Sequence, residues 1–544
     1  MEEITNFIKN IMEEDLKSGK HTEIITRFPP EPNAFLHIGH ARAIITNFEL
    51  AKLFGGKTIL RFDDTNPAKE EKRFMDGIIN DLKWLGYEPE RITFGSDYFD
   101  YDYDCAVKLI KEGLAYVDDL TKDEMKEYRG TLDVPGKDSP YKNRSVEENL
   151  KLFEEMKEGK YDEGEKTLRL KIDMASSNLN LRDPAIYRII KKPHPHTGDK
   201  WNIYPLYDYA HPLQDANEYI THSLCSLEYV EHRALYDWVI EHTKPMSTPR
   251  QIEFGRLNIS GTILSKRYLK ELVESGLVDD YDDPRMPTLV GLKRRGYTPD
   301  AIKAFILSTG LSRMNAEIPF SVLDHYLMDD LKLKEVRRMA VTSPLKVTIT
   351  NYPEDKIEYF DFPNNLENEE LGSRKISFSN TLYIEKDDFV EVKPNNKYKR
   401  LSLGAEVRLM GAYFIKANEV IKDENGEIVE VLATYDKDTL SGSGFTGRKP
   451  QGTITYVDAK TCKKAYFNMF DNLLRDDVSD ELPLTERFNP LSKVQVEGFV
   501  EEAYDPKAEV KSQIMRNGYY VNDYDSTEDK IIINRTVSLK QSFK

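Results

Sequence analysis

"RFPPEPNAFLHIGHARAI", Arg27–Ile44, decides how this chain is read. An apolar stretch, "TEIITRF", runs into a loop stiffened by prolines. A helix then opens with two histidines, His37 and His40, three residues apart. Residues at that spacing share a helix face. The first helical turn presents unpaired N–H groups and positive dipole potential, which suits phosphate. Gly39 has no side chain, so a flat ring can approach the backbone closely. A histidine pair at a helix start is more often a cap or a core feature, and alone it assigns no chemistry.

Working outward, "LHIGHARAIITNFELAKLFG" has helical apolar spacing and is closed by Gly55 and Gly56. "KTILRFDDTNP" reads as a second strand ending in carboxylates and a proline turn, and "EEKRFMDGIINDLKWLGY" as another helix. Strand, helix, strand, helix predicts a parallel βαβ unit, with its ligand site beyond the C-terminal strand ends. Both "RFPPEP" and "DDTNP" fall there. From about residue 98 to 207 the pattern changes around the loop "YRGTLDVPGKDSPYKNR", and α/β alternation resumes near "WNIYPLYDYAHPL", as expected for an inserted domain. Residues 257–335 read as mostly helical. From about 340 onward, short strands alternate with Asn, Asp and Gly turns, which suggests one or two β-barrels.

The 544 residues suggest roughly three to five domains. No apolar run approaches the roughly 18 residues of a membrane span, and the N-terminus lacks a signal-peptide core. Cys105, Cys225 and Cys462 are far apart, so a disulfide framework or a cysteine zinc site is not expected and a reducing cytosol fits. The net charge of -17 argues against nucleic acid on average, yet basic tracks stand at 291–298, 395–409 and 446–452. "KKPHPHTGD" carries His194 and His196 but no third ligand nearby, and reads as a polar loop.

Far downstream, "GTILSKRYL" sets Ser265 and Lys266 in a short loop, where a mobile lysine could meet charge developing on a phosphoryl group. Together, "PPEPNAFLHIGH" and "ILSKR" resemble the two signatures of class I aminoacyl-tRNA synthetases. "LRFDDTNP", "LKIDMAS", "IYPLYDYAHPLQDA", "ITHSLCSLEY", "RQIEFGRLN" and "DDPRMPTLVGLKRRGY" extend the resemblance to the bacterial-type glutaminyl-tRNA synthetase family over nearly the whole chain. Ala34-Phe35 and Leu264 depart modestly from the family's usual Gly-Tyr and Met.

The resemblance implies a multi-domain α/β plus all-β architecture. A Rossmann-type catalytic domain would take residues 1–97 and 208–256, interrupted by an acceptor-stem-binding domain at 98–207. A helical connector with the Ser-Lys loop would follow at 257–335, and two anticodon-binding β-barrels at 336–544. It implies ATP-dependent activation of L-glutamine to glutaminyl-adenylate, with Mg²⁺ on the phosphates and release of pyrophosphate, then transfer to the 2′-OH of the terminal adenosine of glutamine tRNA. A cytoplasmic, monomeric enzyme without a membrane partner or resident metal is expected. His37, His40 and Lys266 would be catalytic. Glu31, Pro32, Asn33, Gly39, Ala41, Leu264 and Ser265 would join them around ATP.

The rival is a glutamyl-tRNA synthetase. A buried carboxylate without a cation costs several kcal/mol, so a glutamate enzyme needs a positive partner in its pocket. In glutamate relatives an arginine stands at the position of Cys225. A small neutral residue there leaves room for an amide. By the same resemblance Asp63 would pair with the substrate ammonium, Tyr207 would line the pocket, and Gln251 and Arg27 would orient the amide. Leu132 would wedge open the acceptor end. Arg337, Lys397, Arg400 and Arg516 would meet the anticodon, with Lys397 and Met515 departing from the usual Gln and Glu. A small-molecule nucleotidyltransferase has no use for such barrels, and a non-catalytic scaffold has no need of His37, His40, Asp63 and Lys266.

Overall fold

In the computed structural model, which describes residues 6–67, 71–475, 477–479, 481–508, 510–527 and 529–539, the chain forms two compact units. The first is Met1–Ser260 with Lys303–Ile318; the second is Gly261–Ile302 with Pro319–Lys544.

The first unit opens with α1 (Phe7–Lys17), then β1 (Ile25–Phe28), α2 (Ile38–Leu53), β2 (Lys57–Phe62), α3 (Lys72–Trp84) and β3 (Ile92–Phe94). The three strands form a parallel sheet with β2 in the middle. Helix α2 ends as its sequence dictates. Gly55 adopts φ +65°, and a Cβ on Gly56 would lie 2.1 Å from the Ile24 carbonyl oxygen.

Next come α4 (Phe99–Lys111), β4 (Ala115–Asp118), α5 (Lys122–Arg129), α6 (Val146–Lys157), β5 (Thr167–Leu170), β6 (Ala185–Ile189) and β7 (Ile203–Pro205). Strands β4 to β7 make an antiparallel sheet in chain order. The chain then returns through α7 (Tyr207–Asn217), β8 (His222–Ser226), α8 (Arg233–Thr243) and β9 (Arg250–Phe254), with β8 and β9 parallel. The core of the antiparallel sheet is continuous with α7 and α8. Phe99, Leu109, Phe153 and Leu168 pack in one cluster with Tyr209, Leu213, Leu235 and Val239.

Thr221 N–H donates to the Ile25 carbonyl at 2.9 Å and Ile25 N–H to Thr221 Oγ1 at 2.9 Å, which sets β8 against β1. The three-stranded and two-stranded sheets thus lie edge to edge, in the spatial order β3, β2, β1, β8, β9. The direction of winding reverses between β1 and β8, the place where open α/β sheets bind ligands. Arg27 lies near the C-terminal end of β1 and Cys225 near that of β8.

The second unit holds two seven-stranded sheets. One is built from Pro344–Ile349, Thr381–Glu385 and strands between Glu406 and Asp458. The other combines Lys463–Phe470, Lys493–Val500, Lys511–Ile514, Gly518–Asn522 and Ile531–Ser538 with two short strands from far earlier, Arg337–Arg338 and Ala340–Val341. The unit boundaries at 260 and 318 fall inside the segment 257–335 that the sequence presents as one connector. The reason is chemical. Helices α9 (Lys266–Glu274) and α10 (Leu289–Arg295) belong with the second sheet, where Arg294 Nη2 pairs with Asp523 at 2.9 Å and Arg285 donates to Ser492 Oγ at 3.0 Å.

Candidate active site

The stiff loop after β1 is tied to the loop after β2 by its own carbonyls. Asp63 N–H donates to Pro30 C=O at 3.0 Å, and Glu71 N–H to Pro32 C=O at 3.2 Å. Phe35 meets Phe74 edge-on at 5.3 Å, so the variant Ala34-Phe35 pair still anchors the loop on α3. Glu31 is exposed, Asn33 half-buried, and the two hydrogen-bond each other.

His37 is the N-cap of α2. Its Nδ1 accepts from Gly39 N–H at 3.1 Å, while His40 Nδ1 accepts from His37 N–H at 3.1 Å. The rings lie 3.9 Å apart. The capping role that such a pair commonly has is thus realised. It has a chemical consequence: with each Nδ1 accepting, the proton of each neutral imidazole sits on Nε2. Both rings thus carry their N–H on Nε2, at the positive end of a helix.

A small pocket opens beside these loops, walled by Pro29, Arg61, Asp63, Tyr207, Ala210, His211 and Gln214. Burial pushes the half-buried Asp63 carboxyl up to about 6, against the pull of the Thr65 hydroxyl, which donates to it at 2.8 Å. Tyr207 opens α7 and stacks on His211 at 4.9 Å, with Tyr229 tilted against it at 5.3 Å. Gln251 is turned inward, its amide nitrogen donating to Glu253 at 2.9 Å and to Tyr229 C=O at 3.2 Å.

Arg27 lies behind the pocket wall and is fully buried. Its Nε donates to Asp215 at 3.0 Å, Nη1 to Leu224 C=O at 2.9 Å, and Nη2 to His211 Nε2 at 3.0 Å and Cys225 Sγ at 3.4 Å. Cys225 thus sits against a cation that is already paired. Burial raises its thiol pKa, so it stays neutral.

Sequence reading did not single out Arg61, His211, Gln214, Asp215 or Glu218. Arg61 is buried and donates to Asp215 at 2.6 Å and Glu218 at 2.7 Å. A signal existed. Arg61 is a charge inside the apolar strand "KTILRF", and Tyr207, His211 and Gln214 recur at i, i+4 and i+7 on one stripe of α7, with Glu218 following at its C-cap.

In the second unit Lys266 opens α9 directly after Ser265, so the pair stands at a helix start rather than mid-loop, and both are exposed. Leu132 in the first unit is 73 % exposed at a loop tip, next but one to Val134. Arg182 Nη1 donates to the carbonyls of Arg129, Thr131 and Val134 at 2.8–2.9 Å, bracing that tip from behind. Among the barrel arginines, Arg400 and Arg516 converge on the buried Asp388. Arg337 instead pairs with Glu367 at 2.7 Å, and Lys397 is exposed. His194 is buried, where its ring accepts from the N–H groups of His196 and Thr197 and donates to Asp64 C=O at 2.7 Å; it pins the loop. Among the described residues, no three His, Cys, Asp or Glu side chains are grouped to hold a metal ion. No described helix is long and apolar enough to cross a membrane.

Three regions match domains of one family. Residues 23–333 match the catalytic domain of tRNA synthetases class I (E and Q), and residues 336–436 and 453–523 match its two anticodon-binding domains. The chain is 54% identical to a glutamine–tRNA ligase of Clostridium perfringens over 100% of this chain and 99% of that one. It is 53% identical to one of Clostridioides difficile over 99% and 98%, and 49% identical to one of Aliivibrio salmonicida over 99% and 98%.

Proposed function

Because the chain belongs to the class I tRNA synthetases of the E and Q group, we propose that it catalyses the glutamine–tRNA ligase reaction. The observation that carries this reading is the end-to-end likeness to glutamine–tRNA ligases. The neutral Cys225 at the end of β8 supports it.

In the reaction the glutamine α-carboxylate attacks the α-phosphorus of ATP and pyrophosphate leaves. The carboxylate is already ionised, so the site needs positioning and charge stabilisation rather than a strong base. Asp63 receives the substrate ammonium at the pocket mouth. His37 and His40 turn two Nε2–H donors, fixed by their caps, toward phosphate oxygens. Lys266 supplies a positive charge for the phosphates. Mg²⁺ held on the phosphates of ATP, which needs no cage of protein ligands, would neutralise further charge. The tRNA 2′-OH then attacks the carbonyl carbon of the adenylate; the acyl–phosphate bond breaks, AMP leaves and the hydroxyl proton is released with it. The exposed Leu132 tip would separate the terminal base pair, for which unstacking costs only a few kcal/mol.

The test is aminoacylation of glutamine tRNA with labelled glutamine and labelled glutamate in parallel. Charging with glutamine alone supports the reading; preferential charging with glutamate replaces it with the glutamyl enzyme.

A further inference from the structure

The pocket wall carries one cation, Arg61, and a second, Arg27, lies behind it. Arg27 and Arg61 are both fully buried, and both reach Asp215 Oδ1, at 3.0 and 2.6 Å. Arg61 also pairs with Glu218 at 2.7 Å. The two other titratable groups that Arg27 donates to, His211 and Cys225, are neutral. Burial pushes the His211 imidazole down to about 3, and it keeps the Cys225 thiol protonated. Two positive charges therefore meet two negative ones. Arg61 also forms part of the pocket wall.

We propose that Glu218 is a specificity-determining residue. By completing the neutralisation of Arg61, it leaves the pocket floor without the unpaired cation that a glutamate side chain would require. Glu218 does not itself line the pocket and acts through Arg61, which does, so it is a positioning residue. The proposal rests on the reading of the pocket as the glutamine site. It adds to Cys225 a second way in which positive charge is withheld: the guanidinium is present, but its charge is already matched. Glu218 is held for that task. Thr93 Oγ1 donates to its Oε1 at 2.5 Å and Tyr98 OH to the same oxygen at 3.0 Å, while Arg61 takes Oε2. Such bonds keep the carboxylate on the guanidinium and away from water.

Glu218→Gln keeps the shape and removes one charge. In aminoacylation of glutamine tRNA, the ratio of kcat/KM for glutamate to that for glutamine is expected to rise about tenfold or more, equivalent to about 1.4 kcal/mol. Glu218→Asp, which keeps the charge, should move the ratio far less. Arg61→Gln combined with Glu218→Gln removes a matched pair and should bring the ratio back toward that of the unmodified enzyme. A structural role alone would lower both activities together. An unchanged ratio in a Glu218→Gln enzyme that still charges glutamine overturns the proposal. If that variant does not fold, Tyr98→Phe loosens the same carboxylate, and an unchanged ratio there overturns it as well. Preferential use of glutamate by the unmodified enzyme would instead defeat the reading of the pocket, a separate outcome of the same assay.

Discussion

Arg516 of one barrel grips both carboxylate oxygens of Asp388 of the other, at 2.5 and 2.9 Å. Arg516 is a non-glycine residue at φ +66°, a backbone state that costs L-residues roughly 1–2 kcal/mol. Asp388 is buried, and Arg400 Nε approaches the same carboxylate at 3.4 Å. The pair offsets the strained backbone, and Asp388 gathers two guanidinium groups at one carboxylate. Planar cations of this kind suit splayed bases, on which they stack and to which they donate hydrogen bonds.

Asp388→Ala is therefore expected to lower unfolding stability by about 1–3 kcal/mol. It should also raise the KM for tRNA severalfold with little change in the KM for ATP. Urea unfolding and steady-state aminoacylation check both. Equal changes in the two KM values would remove Asp388 from tRNA recognition.

Lys266→Ala should slow adenylate formation by about a hundredfold, the usual scale for losing one stabiliser of developing charge. Glutamine affinity should change much less. Single-turnover rates set against equilibrium binding of glutamine decide it, and equal losses in the two would contradict the assigned role.

Cys225→Arg would bring a second guanidinium to a site where Arg27 Nη2 already lies 3.4 Å from the sulfur. The repulsion is relieved only when a carboxylate enters, so relative use of glutamate should rise while total activity falls. Relative kcat/KM for the two amino acids measures this. An unchanged ratio would take Cys225 out of the discrimination.

Asp63 gives a pH signature. Burial raises its carboxyl to about 6 from an ordinary value near 4. The folded protein therefore holds a proton there that the unfolded chain has lost, and between about pH 4 and 6 this group makes stability fall as pH rises. Glutamine binding runs the opposite way, because the substrate ammonium needs the ionised form. Glutamine kcat/KM should drop below about pH 6, and Asp63→Asn should abolish that inflection. Asp64 is also raised to about 6, but it faces Ser96, so persistence of the inflection in Asp63→Asn would assign it elsewhere.

Arg182→Gln removes the guanidinium that braces the Leu132 loop. It should raise the KM for tRNA much as Leu132→Ala does, and the double variant should be no worse than either one. Additive losses would mean that Arg182 and Leu132 act independently.

What could be read in advance was local. His37 and His40, the proline loop, the glycine stop of α2 and the strand–helix alternation are all set by neighbours a few residues apart. Asp63 and Tyr207 required a resemblance, and the charge network around Arg61 was missed. Its partners lie some 150 residues along the chain, and no periodicity joins β2 to α7 before the sheet order is known. The partners of Arg27 are equally distant in sequence: its donors meet Asp215, Leu224, His211 and Cys225, and the sequence places none of them beside it. The short strands Arg337–Arg338 and Ala340–Val341 were equally invisible, since two residues carry no alternation.

Those two short strands also constrain the order of assembly. During synthesis they leave the ribosome before the sheet they complete exists: Arg337 must find Gln513, and Ala340 must find Val500. Between them and their partners the chain builds another barrel. The second barrel is therefore the last part of the molecule able to close, and its closure depends on contacts very distant in sequence, the kind that form slowly. Any nascent chain released before residue 514 has no partner strand for Arg337–Arg338, so early termination leaves an unpaired edge for chaperones or proteases to find.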